Sequence, residues 1–256
     1  MKIEVLGAHN SESKYTGLTS LLIDDKLVVD AGSLTSKLSF PSQEKIKAIL
    51  LTHGHYDHIR DVPALAFNNA CITTNVYGTE QTLKILSSHL VDGKIYPDFS
   101  EKTSICEIQT LKLVELKPYD QIDIEGYQVK VLSVNHIDGS VGYEIISKDG
   151  KSVFFTGDTG PSLMSIWEHI SPQLLIMELT FPNKMEETAK NSGHFVPKTL
   201  KKELIEFHRV KGYYPKVMLV HLSPKYEKEI KKEIMKIEKE LKFSIDIAYE
   251  GEEITI

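Results

Sequence analysis

The segment LLTHGHYDHIRD, residues 50–61, places His53, His55, Asp57 and His58 within six positions, directly after an apolar run. Imidazole nitrogens and carboxylate oxygens are natural ligands for divalent cations such as zinc. In a turn leaving a strand, His53 and His55 can point the same way, while the start of a following helix brings Asp57 and His58 round. One tetrahedral ion is rarely served by four ligands on so short a loop, because the loop cannot close around it. Two ions a few ångströms apart can be, with His53 and His55 on one and Asp57 and His58 on the other. A polar loop with coincidental histidines is the plainer alternative, and the HxHxDH spacing weighs heavily against it.

A pair of ions needs further ligands, including one that both share. His136 ends YQVKVLSVNH, Asp158 ends SVFFTGD and His221 ends KVMLVH. Each follows a hydrophobic run and opens a loop, repeating the order of AILLTHGH. Singly, each would more often be an ordinary loop residue. Together they form a set able to converge on one edge of the sheets. Asp30, ending LVVD, could hold the N–H of a ligand histidine and fix its tautomer, or cap the turn before Gly32. Paired ions lower the pKa of a bridging water toward neutrality and hold both attacking and leaving oxygens, which suits hydrolysis of esters, lactams or phosphodiesters.

Strands must present these residues. KIEVLG, TSLLI, LVVDAG and KAILLTH read as strands before the motif, and YQVKVLSV, VGYEIIS and SVFFTG as strands after it. The Asp-Gly of KDGK, between two such runs, predicts a hairpin. Helices are expected over DHIRDVPALAFNN and GTEQTLKILSSHL, from Pro161 to His169, after Pro197 and from Pro224, alternating late in the chain with strands QLLIMEL, KVMLVH and IDIAYE. LVDGKIYPDF interrupts the helical pattern with Gly and Pro. Strands in both halves, with helices after several of them, predict an α/β (α+β) class αββα sandwich of two sheets covered by helices. The early meander and the hairpin count against a doubly wound parallel sheet. No repeat, low-complexity tract or flexible linker interrupts residues 1–256, so one domain is expected.

Hydrophobic residues make up 41% and charged residues 26%, values that exclude disordered and fibrous classes. No apolar run reaches the roughly 20 residues that span a bilayer. The opening MKIEVLGAHN lacks a signal-peptide apolar region, and the expected location is the cytoplasm. Cys71 and Cys106 lie in no CxxC and beside no histidine, and are expected to be buried thiols. A net charge of -6 leaves no basic footprint for a nucleic-acid polyanion. The late run KYEKEIKKEIMKIEKELK alternates Lys with Glu and predicts a solvated helix.

HxHxDH, a strand-end His, an Asp within FTGDTG and a late strand-end His resemble the metallo-β-lactamase superfamily. The opening LGAHNSESKYTGLTSLLIDDKLVVDAGS is similar to that superfamily's first strands. The resemblance covers nearly the whole chain. It implies that His53, His55 and His136 bind one metal, that Asp57, His58 and His221 bind a second, and that Asp158 bridges them. Two divalent ions are expected, Zn first, with Mn and Fe as alternatives.

Two further stretches narrow the chemistry. MELTFPNK (177–184) ends a strand at Glu178, and NSGHFVPKTLKKEL (191–204) sets His194 before a helix. A spare His beside two metals could protonate a leaving alkoxide, with Glu178 orienting it. With SSHLVDGKIYPDF, these segments resemble the class II cyclic-nucleotide phosphodiesterases, which carry a strand-Glu-x-(Ser/Thr)-Phe-Pro-Asn segment, then Gly-His-x-x-Pro and a downstream Glu-Leu. Tyr56 departs from the Leu usual in that family's HxHLDH. The resemblance implies a phosphodiesterase that opens 3′,5′-cyclic nucleotides to nucleoside monophosphates, with His194, Asp57 and Glu178 as catalytic residues. The expected partner is a small phosphodiester substrate, without a membrane; a homodimer is left open.

The tRNA 3′-processing nucleases share the ligand set and come second, because their Gly-His-Ser-Thr is GHFV here and no basic arm is evident. Lactam or thioester hydrolases come third, and a non-enzymatic metal-dependent binding protein last. A phosphate contact by Lys14 and a base flanked by Phe181 and Phe195 are the functional alternatives, and exposure and packing are their plainer roles. His89, His169 and His208 fall in helical patterns as structural or surface residues, and Trp167 reads as core.

Overall fold

Along YQVKVLS, Tyr127, Val129 and Val131 are buried while Gln128 and Ser133 are exposed, so this strand has one covered face. SVFF and LLIME are buried throughout, as expected of strands covered on both faces. The computed structural model describes residues 1–102 and 107–256, and the strands among them form two sheets. The first contains β1 (Lys2–Gly7), β2 (Ser20–Ile23), β3 (Leu27–Val29), β4 (Ala48–Leu50), β5 (Thr74–Gly78) and β6 (Leu111–Glu115). The second contains β7 (Gln121–Ile124), β8 (Tyr127–Ser133), β9 (Val141–Ile146), β10 (Ser152–Phe155), β11 (Leu174–Glu178), β12 (Lys216–Val220) and β13 (Ile245–Ile247). β14 (Glu253–Thr255) then returns to the first sheet beside β1.

The helices are α1 (Leu34–Lys37), α2 (Phe40–Gln43), α3 (Tyr56–Ile59), α4 (Val62–Asn68), α5 (Glu80–His89), α6 (Met164–His169), α7 (Glu186–Ser192), α8 (Pro197–Lys211) and α9 (Glu227–Leu241). The layers are the expected αββα. Val29, Leu50, Val131, Phe155, Ile176 and Val220 meet between the sheets. Phe154, Leu175, Leu219 and the next residues of alternate register face outward onto Trp167 of α6, Phe207 of α8 and Ile234 of α9. Val28 and Ile49 face outward onto Leu34, Leu65 and Leu86 of the other helical layer. Trp167 is core, as its sequence context indicates.

Strand direction decides where the loops gather. β3 and β4 run parallel, as do β10, β11 and β12. β8 lies two antiparallel steps from β10 and so shares its direction. Every strand that precedes a candidate ligand therefore ends on the same edge of its sheet. Two bonds stitch those edges together: Val141 N donates to Thr52 O at 2.9 Å, and Tyr143 Oη donates to Leu51 O at 2.6 Å.

Several expected boundaries move. DHIRDVPALAFNN is two helices, α3 and α4, because Pro63 is accommodated only in a first helical turn. The helix expected from Pro161 starts at Met164, since Ser162 has φ +85° and turns the chain away. The helix expected from Pro224 starts at Glu227. Cys71 is exposed and disulfide-bonded rather than the expected buried thiol. The expectation for Cys106 lies outside the described residues. Among the described residues, no helix is long and apolar enough to cross a membrane.

Tyr143 is fully buried, and its hydroxyl serves a carbonyl two residues before His53. Tyr143→Phe should cost about 1–2 kcal/mol in urea unfolding, the cost of leaving a buried carbonyl without its partner. An unchanged midpoint would show that this bond does not tie the sheets.

Candidate metal centre and its flanking acid–base pair

The seven residues expected at the metals lie together. His53, His55, His136 and Asp158 form one cluster, and Asp57, His58, Asp158 and His221 a second, with ligand atoms in each within 4.8 Å of one another. Asp158 belongs to both. Its Oδ2 lies 3.2 Å from His221 Nε2, 3.3 Å from His58 Nε2, 3.7 Å from His53 Nε2 and 3.8 Å from His136 Nε2. Asp57 Oδ2 closes the second cluster at 3.3 Å from His221 Nε2 and 3.6 Å from His58 Nε2.

Local backbone explains the placement. His55 is extended at φ −68°, ψ 146° and caps α3, so the turn after β4 releases His53 and His55 before the helix lifts Asp57 and His58. Gly32 permits α3 to lie close, since a Cβ there would stand 2.2 Å from the Asp57 carbonyl oxygen. Asp30 and His221 both sit in the left-handed region, at φ +57° and +61°. Non-glycine residues hold that conformation only where surroundings over-determine it, and such strain gathers at functional sites.

A ring of acceptors sets each tautomer. His58 Nδ1 donates to Asp30 Oδ2 at 2.7 Å, and Thr52 Oγ1, 3.1 Å from His53 Nδ1, donates to the same carboxylate at 2.8 Å. His136 Nδ1 donates to the Gly193 carbonyl at 3.1 Å. His221 Nδ1 meets Thr180 Oγ1 at 2.8 Å, and that hydroxyl donates to Glu178 Oε2 at 3.0 Å. With Nδ1 occupied, the Nε2 lone pairs of these four rings face inward. The sequence pointed to Asp30 but not to Thr52, Thr180 or the Gly193 carbonyl. A Thr beside a strand end is too common to stand out.

The donor set fits divalent cations. His55 Nδ1 lies 3.0 Å from both His53 Nε2 and His136 Nε2, so lone pairs confront one another unless a proton or cation stands between them. Burial, reinforced by neighbouring histidines, holds His53 well below the usual imidazole range and holds His55 and His136 below it, so protons are disfavoured there. Nitrogens about 2.0–2.1 Å from a tetrahedral ion stand roughly 3.3 Å apart, close to the observed spacing. Among the described residues, buried His58 Nε2 has no hydrogen-bond partner and faces the second cluster.

Charge is distributed unevenly. Burial would raise the Asp158 carboxyl, but the surrounding His221 and His58 hold it well below the usual range. Burial opposes the charge on His58, and Asp158 and Asp30 override it, lifting that ring well above 6.5. His194 lies on the flank, its ring stacked 5.4 Å from His221 and tilted 4.8 Å from His136. Burial disfavours its charge as well, yet the Glu178 carboxylate, 2.9 Å from Nδ1, raises it to about 9. Glu178 is fully buried and also accepts from Phe195 N at 3.2 Å and Thr159 N at 3.3 Å. Thus Nδ1 of His194 is tied back, and the ring lines a groove of about 760 Å³ that also reaches His55 and His136.

Other residues stay apart. His9 pairs with Glu250 at 2.6 Å, and Lys14 and Tyr15 are exposed in the preceding loop. Phe195 is packed in the core, while half-buried Phe181 has its ring 5.9 Å from His194. His89, His169 and His208 are exposed. GKIYPDF packs through Tyr96 and Phe99 onto the helical layer of the first sheet and adds no ligand.

Asp30→Ala would strand His58 in a fully buried site. Unfolding of the metal-free protein should become about 3–5 kcal/mol easier, and metal affinity should fall roughly 10–100-fold; unchanged values for both would remove Asp30 from the support of the site. In metal-free protein, NMR titration should place the His194 midpoint near 9. Because that pKa is raised on folding, its stabilisation is complete below the unfolded value and fades as pH rises through 9. Glu178→Gln should return the midpoint to the ordinary imidazole range; a midpoint near 9 in that variant would assign the shift elsewhere.

The family model described as a beta-lactamase superfamily domain matches residues 26–222. A 3′,5′-cyclic-nucleotide phosphodiesterase of Aliivibrio fischeri is 24% identical over 205 residues, 73% of this chain and 61% of that protein. A ribonuclease Z of Archaeoglobus fulgidus is 21% identical over 235 residues, 71% of each chain. The chain spans 50% to 61% of the length of the first curated relatives it matches. Unliganded yeast PDE1 superposes with a TM-score of 0.84 at 17% identity, over 100% of this chain and 99% of that one. The chain therefore belongs to the metallo-β-lactamase superfamily.

Proposed function

We propose that this chain is a binuclear metal-dependent phosphodiesterase that hydrolyses 3′,5′-cyclic nucleotides to nucleoside monophosphates. The observation that carries the reading is the Glu178–His194 pair beside two ligand clusters that share Asp158. His53, His55 and His136 would hold one ion, Asp57, His58 and His221 the other, and Asp158 both. Zn suits this ligand set first, with Mn and Fe as alternatives. Two divalent ions there supply an activated water and neutralise phosphoryl charge.

The protein's own groups do the rest. Asp30, Thr52, Thr180 and Gly193 O hold the ligand rings in the inward tautomer. Glu178 keeps the Nδ1 proton of His194 and favours the imidazolium, so Nε2–H is available to the groove. Nearby dications would pull that ring down from about 9 toward neutrality, where a general acid is most effective. His194 then gives its proton to the leaving 3′-oxygen of the ribose as the P–O3′ bond breaks. The phosphodiesterase relative supports this substrate, and the small-ligand groove is compatible with it.

An RNA 3′-processing activity is the second reading, supported by the ribonuclease Z relative, whose name implies the same bond class. Location in the cytoplasm and a small-molecule substrate without a membrane partner belong to the first reading.

Hydrolysis of cyclic AMP, cyclic GMP, bis-p-nitrophenyl phosphate and a short RNA by protein loaded with Zn or Mn decides between them. His194→Ala should keep its metal and lose roughly 10²–10⁴-fold in turnover; full turnover would sink the assignment. Asp158→Ala should lose metal and activity together, read by elemental analysis beside the assay. Cleavage of RNA with no cyclic-nucleotide turnover would move the protein to the second reading.

A further inference from the structure

His194 separates two spaces. On one side is the groove with His55 and His136; on the other is a cavity of about 270 Å³ walled by α7, the start of α8 and the chain just after Asp158. The inner surface is apolar, from Pro161, Ala189 and Val196, and its rim is polar, from Ser162, Glu186 and Lys190. The cavity would hold about nine waters at roughly 30 Å³ each, a volume that admits a flat bicyclic ring.

The wall is built, not incidental. Ser162 is held in the left-handed region at φ +85°, a strained state for a non-glycine residue. Its backbone N donates to buried Glu203 at 2.7 Å, and the same carboxylate takes Leu163 N at 3.3 Å and Trp167 Nε1 at 3.2 Å. Among the described residues, the Ser162 hydroxyl and the Lys190 ammonium, by contrast, make no hydrogen bond or ion pair. Glu186 pairs with exposed Lys198 at 2.9 Å. Three polar groups are thus presented at the edge of an apolar slot.

We infer that this cavity is the nucleobase subsite; the inference rests on the phosphodiesterase reading. The leaving oxygen must face His194, so whatever is bonded to that oxygen extends to the His194 side. In a 3′,5′-cyclic nucleotide that is the ribose, and the base it carries enters the slot. Pro161, Ala189 and Val196 contact the ring faces. At the ring edge Lys190 donates to a purine acceptor such as N7 or O6, Glu186 accepts from an exocyclic or ring N–H, and Ser162 does either. Ser162, Glu186 and Lys190 are specificity residues, and Glu203 is a positioning residue that holds Ser162.

The test uses metal-loaded protein, with bis-p-nitrophenyl phosphate as reporter and three competitors: guanosine or adenosine 5′-monophosphate, ribose 5-phosphate and inorganic phosphate. The purine monophosphates should inhibit at least about tenfold better than ribose 5-phosphate. Ala189→Leu, which fills the slot, should erase that advantage while inhibition by inorganic phosphate stays the same, and Lys190→Ala, whose side chain lines both the slot and the groove, should erase the advantage of purine monophosphate over ribose 5-phosphate. Circular dichroism and metal content control for folding of Ala189→Leu. No advantage in the parent protein, or an advantage that survives in both variants, overturns the base subsite. Failure to hydrolyse cyclic nucleotides, with the base advantage present and lost in the variants, overturns the cyclic-nucleotide reading and leaves the subsite in place.

Discussion

One carboxylate oxygen, Oδ2 of Asp158, has four imidazole nitrogens around it at 3.2 to 3.8 Å. A nearly fully buried anion is costly unless positive charge or hydrogen bonds compensate it. Without metal the compensation comes chiefly from His221 and His58, and the four rings arrive on separate elements: the turn after β4, the short helix α3, the loop after β8 and the end of β12. No pair of these is adjacent along a single sheet. The αββα arrangement brings them together because each supporting strand points toward the same edge.

Two buried carboxylates support this centre in the same way from opposite sheets. Asp30 ends β3; it binds His58 directly and reaches His53 through Thr52. Glu178 ends β11; it binds His194 directly and reaches His221 through Thr180. Each thus orients two rings with one charge, and each is fully buried. The difference lies in what the directly bound ring can do. His58 turns Nε2 into the second cluster, while the ring of His194 lines the open groove. In the proposed reading the same construction serves metal binding on one side and proton transfer on the other.

Much of this was legible in the sequence because a ligand at a strand end leaves two signals, an apolar run and a polar residue of the right type after it. His53, His136, Asp158 and His221 all carry both. Thr52 and Thr180 also follow apolar runs, but a Thr is not a residue type that signals a ligand, and the Gly193 carbonyl is backbone and has no side-chain signature. β7 and β14, with QIDI and EIT, are short and half polar, so their pairing depends on neighbours rather than on pattern. The helix starts at Met164 and Glu227 were displaced from their prolines by turns whose geometry is tertiary. The exposed, bonded state of Cys71 could not be deduced from two isolated cysteines.

His53, His55 and His58 hang from the first sheet, whereas His136, Asp158 and His221 hang from the second. The separation of the two groups is set by the side chains between the sheets, Val29, Leu50, Val131, Phe155 and Val220 among them. Sheets stack about 10 Å apart, and close-packed interiors transmit small volume changes instead of absorbing them. The inter-sheet core is therefore a caliper whose jaws are the two halves of the centre. In the proposed reading, residues that touch neither ion nor substrate are held to a tolerance that the chemistry imposes, so natural variation at Val131 or Phe155 should be bounded by ligand spacing before it is bounded by folding.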